Sequence, residues 1–80
     1  MNKDYFDKRK QELIDKLNFY IVNNQINEKE DYEIMLRILD ELSFSNRLIK
    51  KGLIAFTIVD SLTVNQDLES ELIIFDDSIS

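Results

Sequence analysis

Eighty residues with no cysteine, no histidine and no proline exclude most of what a small protein uses to brace itself or to do chemistry. Disulfides and thiolate or imidazole catalysis are impossible, a structural zinc loses its commonest ligands, and the length allows one domain around one small core, residues 1–80. The net charge of −6 belongs wholly to residues 52–80: positions 1–51 carry ten charges of each sign, whereas Asp60, Asp67, Glu69, Glu71, Asp76 and Asp77 follow with no cation among them.

The first predicted helix covers about 4–23. Phe6, Leu13, Ile14, Leu17, Tyr20 and Ile21 recur at helical spacing, with most of the charges elsewhere. Asp4 is the expected N-cap, Glu12 and Lys16 form an i,i+4 pair, and Asn23, Asn24 and Gln25 end the segment. A second helix, about 28–43, starts at the capping box Asn27 to Glu30 and repeats Met35, Ile38, Leu39 and Leu42 on one side. Ser43, Phe44 and Ser45 then read as a tight turn.

The third helix, about 46–62, is apolar on nearly every side after Lys51, which is the pattern of a buried helix. Its competitor is a strand over Leu53–Val59 paired with Glu71–Phe75, since isoleucine, phenylalanine, threonine and valine favour strands. The single glycine, Gly52, lies inside this segment, and without proline no position is expected to force a break. An acidic C-terminal segment begins at about 63 and carries a fourth helix, about 67–77, on Leu68, Leu72, Phe75 and Ile79. Asp67, Glu69 and Glu71 suit its start, whereas Asp76 and Asp77 oppose the negative end of its dipole. The expected fold is all-α, a small three- or four-helix bundle.

Catalysis has little to work with. One glycine excludes a glycine-rich phosphate loop, and no serine lies in a nucleophile motif. The pairs Asp40–Glu41 and Asp76–Asp77 are neighbours in sequence, and side chains about 100° apart on a helix do not converge on one substrate or ion. The chain is therefore read as a non-enzyme without cofactor or metal.

Two surfaces remain as candidates. Arg47, Lys50 and Lys51 have the placement of phosphate contacts in a helix-turn-helix DNA-binding regulator, but an acidic third of the same small domain opposes nucleic-acid binding. The favoured site is the C-terminal segment, where Asp67, Glu69, Glu71, Asp76 and Asp77 interleave with Leu68, Leu72, Ile73, Ile74, Phe75 and Ile79 to offer both a field and apolar anchors, Leu72 and Phe75 foremost, to a partner protein with a basic surface; the alternative is that the same apolar residues close the chain's own bundle. The expected function is a non-catalytic protein–protein interaction module, an acidic regulator or inhibitor that occupies a surface of a larger protein. Self-association to a homodimer is the remaining way to supplement a thin core. A charged N-terminus without a signal-like apolar stretch, and no apolar run near 20 residues, lead to a cytoplasmic protein with no membrane segment. Eleven isoleucines and seven asparagines resemble the translation of an AT-rich bacterial or phage genome.

Overall fold

Helix formation starts one residue before the first charged pair. Asn2 accepts the Tyr5 backbone N–H on its side-chain oxygen at 2.8 Å, filling one of the donors that every helix start leaves free. The capping role expected of Asp4 thus falls to Asn2, and Asp4 sits in the first turn, where its charge complements the helix dipole. The computed structural model describes residues 1–23, 29–60 and 65–79. Its helices are α1 (Lys3–Asn23), α2 (Lys29–Glu41), α3 (Arg47–Lys50), α4 (Leu53–Asp60) and α5 (Gln66–Asp77). The expected all-α bundle is what forms, and α4 is helical where a strand was the competitor. The proposed capping box begins at Asn27, outside the described residues.

Each long helix buries one stripe. Phe6, Leu13 and Leu17 come from α1, Tyr32, Met35 and Leu39 from α2, and Leu68, Leu72 and Phe75 from α5, all in one cluster. The side-chain contacts show how these helices run. Lys10 on α1 reaches the carbonyl of Leu42 beyond the end of α2 at 2.6 Å, while Tyr20 near the other end of α1 stacks on Tyr32 at the start of α2, ring centroids 5.7 Å apart. These two helices are therefore antiparallel. Lys10 also places a cation at the negative end of α2. By the same argument α1 and α5 are antiparallel, since Phe6 meets Phe75 with centroids 5.4 Å apart while Lys16 meets Glu71.

Lys16 gives its charge to Glu71 and Arg9 pairs with Glu12, so the expected Glu12–Lys16 pair does not form. A long-range partner wins because it is half-buried, and a pair exposed along one helix contributes only a few tenths of a kcal/mol.

The expected single helix 46–62 is divided at Gly52, whose φ of +92° lies in the left-handed region. No atom crowds a Cβ at that site, so the glycine is needed for its backbone angle and not for space. The turn before the division is held by exchange: the Ser43 N–H donates to Asn46 Oδ1 at 2.8 Å, and the Asn46 N–H donates to Ser43 Oγ at 3.2 Å. The second half, α4, packs on α5 and buries only Ile54 and Ile58. Leu48, Ile49, Leu53, Phe56 and Val59 stay exposed, contrary to the expectation that an all-round apolar helix is enclosed. Among the described elements α4 packs chiefly on α5, and a helix held mainly from one side buries that side.

Candidate functional site

Helix α5 is positioned by the residue before it. Asn65 accepts the N–H groups of Asp67 and Leu68 at 3.0 and 3.2 Å on its side chain, and donates its own N–H to the Tyr32 hydroxyl at 2.7 Å. A cap and a long-range bond thus fix where the acidic helix begins, and the stripe Leu68, Leu72, Phe75 and Ile79 fixes its rotation by burial.

The rotation sorts the seven residues expected to face a partner. Leu72 and Phe75 lie in the chain's own core, 0 and 2 % exposed, and are not available at the surface. Asp76 is 1 % exposed. Its carboxylate crosses to the start of α4, where Oδ1 accepts the Gly52 N–H at 2.8 Å and Oδ2 the Ala55 N–H at 3.0 Å. A charge that opposes the dipole of its own helix therefore complements the dipole of the neighbouring one, as an N-cap supplied from outside the helix. That bond also makes α4 antiparallel to α5.

Glu71 is likewise engaged within the chain. It accepts from Lys16 at 2.5 Å and from Arg9 at 3.1 Å. These bonds, with Lys16 foremost, hold its pKa below the ordinary glutamate value. A carboxylate depressed in the folded state contributes stability that is fully present above its unfolded pKa and is lost as pH falls through the folded one. Glu71→Gln is accordingly expected to lower the urea midpoint at neutral pH, and the gap to the parent closes as the pH is taken below about 4.3, the unfolded glutamate value. A gap that stays constant from pH 7 to pH 3 would show that the two bridges do not contribute.

Asp67 and Asp77 are exposed and Glu69 is half-buried, and none of the three forms an ion pair within the described residues. Asp67, Ser70, Ile74 and Asp77 recur at i, i+3, i+7 and i+10, the spacing of one helical side, and that side lies opposite Leu68, Leu72 and Phe75. Ile74, 64 % exposed, stands between the two free carboxylates. Asp67, Ile74 and Asp77 all belong to the expected segment, and the rotation of the helix is what singles them out from it. Beside this stripe a cavity of about 220 Å³ has Lys51, Ala55, Ile74, Asp76 and Asp77 among its lining residues.

The basic trio does not gather. The Arg47 guanidinium sits 3.7 Å over the Phe44 ring and donates to the carbonyls of Phe44 and Ile79 at 2.7 and 3.2 Å, so it braces the α3 turn against the C-terminus. Lys50 ends this helix of four residues half-buried, and Lys51 follows it, exposed. Among the described residues no three acidic side chains group around a metal-sized position, and no helix is long and apolar enough to cross a membrane. Comparison with models of known protein families, with curated proteins and with solved structures returned no match to this chain.

Proposed function

We propose that this chain is a non-catalytic protein–protein interaction module, a small acidic regulator that binds a basic surface of a larger protein through the outward side of α5. The observation that supports this reading is the stripe itself: two carboxylates without a cation of their own flank an exposed isoleucine on a helix whose other side is locked into the core. Carboxylates that have no internal partner keep their field for an incoming molecule, which raises the encounter rate and sets orientation, while an apolar anchor supplies affinity. Glu69 extends the charged area at the edge of the stripe. Glu71, Leu72, Phe75 and Asp76 support the same surface from beneath by fixing the helix that carries it.

Neutralisation separates the stripe from general acidity. Capture from a bacterial lysate is expected to retain a basic protein on the parent chain at low salt, and to lose it both at high salt and with the combined variant Asp67→Asn, Glu69→Gln, Asp77→Asn. Equal retention by parent and variant would remove the basis for this reading.

A further inference from the structure

Leu53, Phe56 and Val59 recur every third residue on α4, diametrically opposite Ile54 and Ile58, which face the core. Phe56 and Val59 are 69 and 82 % exposed, and Leu48 and Ile49 on the preceding turn are exposed as well. Thr57, the polar member of this helix beside Leu53, already donates its hydroxyl to the Leu53 carbonyl at 2.6 Å. Lys50 and Lys51 lie just before the N-terminal end of α4 and Asp60 is its last residue, and none of the three forms an ion pair among the described residues.

We infer that this face is the contact between two copies of the chain, joined about a two-fold axis beside Phe56 with the two α4 helices antiparallel. Charge selects a second copy, and area permits one. Leu53, Phe56 and Val59, with Leu48 and Ile49 of the neighbouring turn, together expose on the order of 600 Å², at the upper end of what a monomer leaves in one patch and short of the roughly 800 Å² that each partner buries in a standard interface. A two-fold contact uses the same patch on both sides, so one surface suffices. The axis sets Phe56 against Phe56 and Leu53 against Val59 of the other copy. It brings Lys50 and Lys51 toward Asp60 of the other copy, twice. A parallel arrangement would stack like charges at both ends, and antiparallel helices also oppose their dipoles favourably. The acidic stripe of α5 takes no part, so this inference and the proposed function can fail separately.

Sedimentation equilibrium over a range of concentrations is expected to give twice the 9.5 kDa of one chain. Phe56→Glu, on an exposed position that leaves the circular-dichroism spectrum unchanged, is expected to raise the dimer dissociation constant about thirtyfold or more, the loss typical of a central interface residue. Lys51→Glu weakens the dimer and adding Asp60→Lys restores it. Asp67→Asn with Asp77→Asn leaves it unchanged. A parent chain that keeps the mass of one copy at millimolar concentration overturns the inference, including one that instead binds lipid vesicles or an unrelated peptide on this face. So does a dimer indifferent to Phe56→Glu. Failure of the Asp60→Lys rescue overturns the antiparallel register.

Discussion

Phe6→Ala is expected to cost about 3–5 kcal/mol of folding stability, a large part of the roughly 4–12 kcal/mol available to a domain of 80 residues. Phe6 is fully enclosed and ties α1 to two other parts of the chain. Its ring packs edge-on against Phe44 of the α2–α3 turn, centroids 5.8 Å apart, and tilted against Phe75 of α5. Truncation removes both ring contacts and leaves a space that α1 cannot close without disturbing the Arg9 and Lys16 bridges to Glu71. At about 4–8 °C per kcal/mol for a domain of this size, the melting temperature falls by at least about 12 °C. Phe6→Leu keeps most of the volume and loses the ring geometry, so it should cost much less. Chemical denaturation followed by circular dichroism measures both. Equal midpoints for Phe6→Ala and the parent would mean that the junction of α1, α5 and the turn does not carry the core.

The elements that were legible from sequence are those whose cause is local. Leu13 and Leu17, Met35 and Leu39, and Leu68, Leu72 and Phe75 repeat at the helical period within their own segments, and each set is buried. What escaped is whatever depends on a distant neighbour. Glu71 looks like one more free carboxylate until α1 brings Arg9 and Lys16 to it across 62 and 55 residues of chain. The outward side of α4 escaped for a related reason: hydrophobic periodicity records which residues are apolar and not how many neighbours a helix has. Gly52 was visible as the only glycine, yet a positive φ at one residue leaves no trace in the pattern on either side of it. For the candidate site, local spacing puts Asp67, Ile74 and Asp77 on one side of α5, whereas packing decides between the two uses open to Leu72 and Phe75 and spends them on the core.

Asp76 is where local and distant causes conflict most, and its replacement separates them. Read within α5, two carboxylates in the last turn are unfavourable, so removing either should be neutral or stabilising. The structure instead gives opposite signs to adjacent residues. Asp76→Ala leaves the Gly52 and Ala55 N–H groups without the buried carboxylate that accepts from them and is expected to cost about 2–4 kcal/mol, from the lost cap and two charge-assisted bonds. Asp76→Asn retains one acceptor, turns its amide donors toward the other N–H, and should fall between. Asp77→Ala, exposed and one residue further on, should stay within about 0.5 kcal/mol of the parent. Amide exchange supplies a local readout: protection at Gly52 and Ala55 drops in Asp76→Ala before global unfolding does. Because the cap holds the first turn of α4, which carries Leu53, the same variant should also weaken association between copies, although Asp76 lies outside that face. Comparable losses from Asp76→Ala and Asp77→Ala would show that charge at the end of α5, and not a bond across to α4, is what the chain needs there.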